Sequence, residues 1–368
     1  MRIDRLYLRG FRNYAEAEVR LAPGINLFLG DNAQGKTNLL EAISYLSAGH
    51  SFRTRREAEL LGFGQDFCEL LADVEDAERQ RQLRVLLFAG ARKRQIFLSG
   101  VKKRTFGEVS DTLNSVLFCP EDLSILRGGS GERRRWIDQA LCQLFVGYDR
   151  ALSEYSRCIE HKSRILKDRF RDPSLTELLP EFNEQICRYG AEVVRYRATF
   201  LRFLGEYGEK YHREFSGQRE TMELQYHTVS TVEDPFAEAE TVYGCLRAHL
   251  EAHWQAELES AQCLTGPHKD DFEVILEGRS LKSYGSQGQT RTAAISLKLA
   301  ERAYFRQETG EEPVLLLDDV LSELDAGRQD FVLNRLGDGQ VLITCCEMDR
   351  LTQTGKMFHV KQGTVAEM

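Results

Sequence analysis

The 368-residue chain has no apolar run near the roughly 18 residues that a membrane-spanning helix needs, which excludes a helical anchor. Its first residues, Met1-Arg2-Ile3-Asp4-Arg5-Leu6, lack the apolar stretch of a secretory leader and read as a first strand. Nine cysteines, an odd number, show no CxxC spacing and no paired framework, so neither a disulfide-stapled domain nor a zinc-cysteine module is expected. Adjacent Cys345 and Cys346 read as strand residues, and the eight histidines form no ligand cluster. There is no internal repeat, no low-complexity tract and no sustained heptad, which excludes a long coiled coil. A cytoplasmic globular protein with reduced thiols remains, long enough for two lobes. The net charge of −8 argues against a protein that coats DNA wholesale.

What is present begins at residues 30–37, Gly-Asp-Asn-Ala-Gln-Gly-Lys-Thr, which fit the pattern GxxxxGK[ST]. Apolar Ile25 to Leu29 ahead of them reads as a buried parallel strand. Asn38 to Ser47 behind them reads as a helix with Leu39, Leu40, Ile43 and Leu46 on one face. Strand, glycine-rich loop and helix in that order predict a nucleotide phosphate cradle. Gly30 and Gly35 let the backbone turn, and Asp31, Asn32, Ala33, Gln34 and Asn38 line it. Lys36 is expected to reach the phosphates and the Thr37 hydroxyl to ligate Mg²⁺.

About 280 residues downstream, Val314 to Leu317 reads as a buried strand ending in Asp318 and Asp319. Asp318 is the candidate Mg²⁺ holder, and Asp319 the candidate that polarises an attacking water. Thus Lys36, Asp318 and Asp319 are the expected catalytic set, and Thr37 and Asp318 the metal set.

A third element, Ser283-Tyr284-Gly285-Ser286-Gln287-Gly288-Gln289, precedes an amphipathic stretch from Thr290 to Arg306, with Ser286 a good helix cap. Ser286, Gly288 and Gln289 at a helix start, shortly before the acidic strand, resemble the signature motif of ABC-type ATPases. Ser322-Glu323-Leu324-Asp325 resembles the D-loop of that superfamily, and Thr344, ending the strand-like Val341 to Thr344, lies near the position of its switch residue. More specific segments resemble the RecF family of bacterial recombination proteins: Leu8-Arg9-Gly10-Phe11-Arg12-Asn13-Tyr14, His50-Ser51-Phe52-Arg53-Thr54, Pro120-Glu121-Asp122-Leu123 and Gly266-Pro267-His268-Lys269-Asp270-Asp271. The resemblance covers essentially the whole chain.

That resemblance implies an α/β ABC-type ATPase head of the SMC-like superfamily, without the coiled coil. It implies ATP and Mg²⁺ as cofactors and weak, DNA-stimulated hydrolysis. ATP-dependent homodimerisation follows, with the signature motif and Asp325 of one subunit meeting the nucleotide held by the other. The implied ligands are double-stranded DNA and single-strand/double-strand junctions. RecO and RecR are the implied partners in loading RecA on DNA coated with single-strand-binding protein, within DNA damage repair, replication and the SOS response. Two departures stand out. Asp319 occupies a position where most ABC ATPases carry Glu, so the identity of the catalytic base stays open. No Gln-loop glutamine is found, and Glu121 in its place is either a neighbour of the metal or part of a helix-start turn. A nucleotide-binding scaffold with negligible hydrolysis and a transporter-type cassette are the alternatives; transport cassettes keep loop and signature much closer in sequence.

Charge is uneven. Residues 1–110 hold 18 Lys and Arg against 14 Asp and Glu, and the remainder is strongly acidic. Basic clusters at Arg53-Thr54-Arg55-Arg56, Arg92-Lys93-Arg94, Lys102-Lys103-Arg104 and Arg133-Arg134-Arg135 are either solvated surface or salt-dependent DNA contacts. The resemblance points to the Arg92 to Arg104 region for DNA. Arg53 and His50 approach the nucleotide, communicate DNA contact to it or sit on a surface loop, and Arg133 to Arg135 suit helix packing or a partner contact. Leu83 to Phe88 and Arg94 to Leu98 predict a hairpin. From Gly131 to about Cys263 the pattern turns helical, broken at Pro173 and Pro180 before a second long helix through Ile186, Val193, Val194, Phe200 and Leu204, with an acidic, mobile loop from Val229 to Glu240. The expected architecture is a split mixed-sheet lobe I, residues 1–125 and 266–368, with a mainly helical lobe II, residues 126–265, inserted between its halves.

Overall fold

The computed structural model describes residues 1–90, 94–320, 324, 326–333, 339–346 and 355–368. In chain order the first elements are β1 (Arg2–Phe11), β2 (Tyr14–Arg20), β3 (Ile25–Leu29), α1 (Lys36–Ala48), β4 (Phe67–Glu75), β5 (Gln80–Phe88), β6 (Gln95–Leu98), β7 (Val101–Lys103) and β8 (Ser115–Phe118). The middle of the chain forms α2 (Leu123–Arg127), α3 (Ser130–Leu144), α4 (Val146–Asp168), α5 (Leu179–Ser216), β9 (Met222–His227), α6 (Ala239–Ser260), β10 (Asp271–Leu276), β11 (Arg279–Ser280) and α7 (Leu281–Tyr284). It closes with α8 (Gln287–Thr309), β12 (Val314–Asp318), α9 (Ala326–Leu333), β13 (Val341–Cys345), β14 (Lys356–Lys361) and β15 (Thr364–Glu367). The chain divides into two units, Met1–Asp122 with Lys298–Met368, and Leu123–Leu297.

Two six-stranded sheets build the first unit. One is antiparallel, in the order β2-β1-β4-β5-β6-β7, and alternation of apolar and polar residues along β1 and β5 gives it one buried face. The other runs β15-β14-β3-β13-β12-β8, and its five strands from β14 to β8 are mutually parallel. Its central strands are mostly apolar, as strands covered on both faces are, and every residue of β12 is buried. Leu39, Leu40, Ile43 and Leu46 of α1 join Leu6, Leu8, Leu70, Val85 and Leu316 in one core. Gln340, fully buried just before β13, ties the sheets together. Its side chain accepts from the Ile3 N–H and donates to the Ile3 carbonyl, each at 2.8 Å.

Helices dominate the second unit. Pro180 lies in the first turn of α5, where its missing N–H costs nothing, so the expected second long helix starts there after the break at Pro173. The Gly266 to Asp271 segment is the polar hub of this unit. Arg197 of α5, almost fully buried, donates to the Pro267 carbonyl at 2.7 Å and to Asp270 at 3.2 Å. Arg133 of α3 forks onto Asp271, and Tyr155 of α4 meets His268 Nδ1. A buried ion pair, Lys162 to Glu257 at 2.5 Å, links α4 to α6. The spare oxygen of Glu257 accepts from the Leu264 N–H, holding the approach to Gly266.

Two expectations shift and a third holds. The second boundary falls at 297/298 rather than 265/266, because β10 pairs with β9 from Asp271↔His227 to Leu276↔Met222. Residues 266–297 thereby belong with the helical unit, which carries a small sheet in the order β11-β10-β9. The acidic segment after Thr228 is irregular but anchored, with Val229 and Val232 buried against Val242 and Leu246. Arg133 and Arg134 serve helix packing: the first pairs with Asp271 and the second donates to the Asp270 carbonyl.

Candidate functional site

Parallel pairing brings the C-terminal ends of β3, β13, β12 and β8 to one edge of their sheet, where ligands of open α/β sheets collect. The loop after β3 turns sharply into α1. Gly35 adopts φ 116°, and a Cβ there would lie 2.7 Å from the Asn13 amide, so the position takes only glycine. Helix α1 has no side-chain cap and no acidic residue in its first turn, which leaves its initial N–H groups and positive dipole end for an anion. Lys36 is buried and folds back on the loop, donating to the carbonyls of Gly30 at 2.6 Å and Asp31 at 3.0 Å. Asp31, Asn32 and Ala33 are exposed, with Gln34, Thr37 and Asn38 half-buried.

At the adjoining strand ends, the Thr37 hydroxyl donates to Asp318 Oδ1 at 3.0 Å, and the Thr344 hydroxyl donates to the same oxygen at 2.8 Å. Thr344 Oγ1 also accepts from the Asp319 N–H at 3.0 Å, and Asp319 takes a left-handed φ of 53°. Burial lifts the Asp318 carboxyl above its ordinary value; the two hydroxyls oppose the lift, and the charges of Glu121 and Asp319 add to it. Glu121 follows β8 and is exposed. Thr37 and Asp318 offer two hard oxygen donors on one spot, the donor set a phosphate-bound Mg²⁺ takes from protein. Among the described residues no group of three or more His, Cys, Asp and Glu is arranged to hold a metal without phosphate oxygens.

The loop is braced by residues whose roles pattern reading missed. Asn13 donates to the Gln34 carbonyl at 2.9 Å, and the Tyr14 hydroxyl donates to the Gly35 carbonyl at 2.9 Å. From the other side, the Gln362 N–H donates to Gln34 Oε1 at 2.8 Å, and the Gly363 N–H to the Gln34 carbonyl at 3.1 Å. Arg53 donates to Asn38 Oδ1 at 2.7 Å, and Asn38 in turn donates to Asn13. Beneath them Glu41, fully buried on α1, holds both nitrogens of the Arg12 fork and the Ser51 hydroxyl. Arg53 therefore sits at the phosphate-loop helix. Cys346 brings an exposed thiol to the same loop, 3.0 Å from Asn32 Oδ1 and 3.4 Å from Lys36 Nζ.

In the second unit, the Gln289 N–H donates to Ser286 Oγ at 3.2 Å, while the Ser286 N–H donates to Gln289 Oε1 at 2.9 Å. This reciprocal capping box fixes the start of α8. Ser286 and Gln287 are exposed, with Gly288 and Gln289 half-buried. Asp325, with Ser322 and Glu323 of the D-loop-like segment, lies outside the described residues, as do Arg92 and Lys93.

Arg94 is not a free basic group. It donates to Glu57 at 2.7 Å and to the Gly49 carbonyl at 2.8 Å, and stacks over Phe106. Both of these hydrogen bonds use Nη1, so one flank of an exposed guanidinium is tied to the protein. Lys102 and Arg104 are exposed and Lys103 half-buried, at and beside edge strand β7, where lysines also discourage edge-to-edge pairing.

Residues 2–366 match the family model described as the RecF/RecN/SMC N terminal domain. The chain is 37% identical to the DNA replication and repair protein RecF of Agathobacter rectalis, with 99% of each chain covered. It is 34% identical to that of Acetivibrio thermocellus, over 95% of this chain and 94% of the relative. A solved structure of the recombination mediator protein RecF with ATP, in the RecFOR pathway, superposes with TM-score 0.93 at 31% identity, covering 100% of this chain and 97% of the other. An Smc head domain from Pyrococcus furiosus, at 16% identity and TM-score 0.57, shares the fold. The chain therefore belongs to the RecF family, with the α/β head fold of SMC-like ATPases.

Proposed function

We propose that the chain is an ATP-dependent DNA-repair ATPase that closes as a homodimer on DNA. The carrying observation is the Thr37–Asp318 hydrogen bond beside an uncapped helix N-terminus. In this reading the α1 amides and Lys36 bind the β- and γ-phosphates, Lys36 exchanging its two loop carbonyls for phosphate oxygens. Thr37 and Asp318 hold Mg²⁺, which when bound offsets charge on the phosphate oxygens. Asp319 orients the attacking water, and Thr344 fixes the backbone on which Asp319 sits. Exposed Ser286, with Gly288 and Gln289, caps the γ-phosphate held by a second copy of the chain, with Asp325 beside it. Binding energy then goes into dimer closure, and hydrolysis releases it.

Family membership supports double-stranded DNA and junctions as ligands, and RecR and RecO as partners in placing RecA on DNA coated with single-strand-binding protein. Sedimentation velocity tests the core of the reading. The chain is expected to be monomeric without nucleotide and dimeric with ATP, with Lys36→Ala losing nucleotide binding. Ser286→Arg is expected to keep nucleotide binding while losing dimerisation and hydrolysis. A wild-type chain that stays monomeric with ATP, or a Ser286→Arg variant of normal turnover, overturns it.

A scaffold that turns ATP over negligibly draws support from Asp319. Its side chain is one methylene shorter than glutamate, and its N–H is tied to Thr344. Steady-state phosphate release with and without duplex DNA separates the readings, because coupling of DNA contact to closure requires stimulation.

A further inference from the structure

The capping box leaves one group of Gln289 unspent. Its Nε2 reaches Glu220 Oε1 at 2.7 Å, in the link between α5 and β9. The other oxygen of Glu220 meets His212 Nε2 at 3.0 Å, and the Glu220 N–H donates to Ser216 Oγ at 3.2 Å. His212 is fully buried on α5 and its Nδ1 has no partner, so the ring proton belongs on Nε2, directed at the carboxylate. Burial holds this imidazole below its ordinary value, with Glu220 opposing. The surrounding packing is close. A Cβ on Gly208, one turn before His212, would lie 2.9 Å from Met222 and 3.1 Å from Leu297 of α8.

The chemistry of these contacts is one-directional. A carboxylate accepts and cannot donate, so Glu220 admits only the amide orientation of Gln289 that presents Nε2 to it. That orientation turns Oε1 toward the Ser286 N–H. We propose that Glu220, backed by His212, is a positioning residue for the signature motif, fixing the Gln289 amide and through it the Ser286 corner. The inference rests on the composite-site reading for its effect on turnover, but the positioning itself is a property of the single chain.

The test uses full-length Glu220→Ala, Glu220→Gln, Gln289→Ala and the Glu220→Ala/Gln289→Ala pair. In Glu220→Ala, ATP affinity of the monomer is expected to stay unchanged. Dimer affinity with ATP and kcat are each expected to fall roughly tenfold, the scale of one charge-assisted hydrogen bond. Glu220→Gln keeps an acceptor for Gln289 and should remain within about threefold of wild type. The double variant should behave as Gln289→Ala alone, because both changes remove one contact. Hydrogen exchange of the amides at 287–290 should quicken in Glu220→Ala without nucleotide, and should not in Glu220→Gln. Unchanged exchange in Glu220→Ala, or a full additional loss in the double variant, overturns the proposal. If wild type never dimerises with ATP, the composite-site reading falls, and the exchange measurement still decides for or against Glu220.

Discussion

The Thr37 hydroxyl donates to Asp318 at 3.0 Å although 281 positions separate the two residues. A magnesium ion bound there competes with a proton. Asp318 is raised by burial above the usual 3.8, so in the fold it keeps its proton to higher pH than a free carboxyl. The Mg²⁺-dependent increment of ATP affinity should be complete well above that raised value and shrink as pH falls through it. Asp318→Asn should remove the increment at every pH while leaving metal-free ATP binding nearly intact. Calorimetry with and without Mg²⁺, between about pH 8 and pH 5, checks both; an increment that survives Asp318→Asn contradicts the assignment.

Asp122 gives a separate signature in stability. Burial pushes it up to about 6, against the pull of Lys298 and the Cys119 N–H. Between 3.8 and about 6 the folded chain holds a proton that the unfolded chain has released, so stability falls as pH rises through this window. Asp122 is partly accessible, and the expected loss is about 1–2 kcal/mol. Urea unfolding of Asp122→Asn should lack this component; an identical pH profile for both proteins counts against it.

Basic residues should separate by what they already hold. Lys102→Glu with Arg104→Glu should weaken duplex binding and lower the magnitude of the log–log salt slope by about 2. Arg94→Ala should leave the slope alone and cost about 1–3 kcal/mol of stability, because it strips Glu57 and the Gly49 carbonyl of a donor. Binding measured from low to moderate salt, together with melts, distinguishes them. A slope that drops with Arg94→Ala would return that residue to the DNA surface.

Cys346 reports on the phosphate loop. Its exposed thiol sits 3.4 Å from Lys36 Nζ, so a bulky maleimide there should reduce ATP affinity more than tenfold. Saturating ATP should in turn slow its modification, read by peptide mass spectrometry. Cys346→Ser should bind ATP normally and be indifferent to the reagent. Modification that leaves ATP binding untouched would mean the thiol lies clear of the bound phosphates.

Residues that carry a motif were legible in the sequence, Thr37 and Asp318 included although 281 positions part them; partners without a motif were not. The phosphate loop reads directly because strand, glycines and helix are contiguous, and the S-x-x-Q spacing from Ser286 to Gln289 encodes its own cap. Asn13 and Tyr14 carry no pattern of their own, and their hold on Gln34 and Gly35 depends on which strands meet. The boundary at 297/298 was missed for a similar reason: β9 and β10 lie 44 residues apart at His227 and Asp271, and strand periodicity does not name a partner. The partners of Arg94 were hidden because a run of basic residues says nothing of Glu57. Glu220 offered no signal at all, since a lone glutamate in a short link resembles any solvated acid.

Strand β3 has its two neighbours, β13 and β14, in residues 341–361. On the ribosome, the phosphate-loop segment must wait for residues 341–361, more than 300 positions later, before either flank is covered. A nascent or prematurely terminated product exposes two bare backbone edges and carries no assembled nucleotide pocket. Bare strand edges of that kind are templates for wrong pairing until residues 341–361 arrive to cover them.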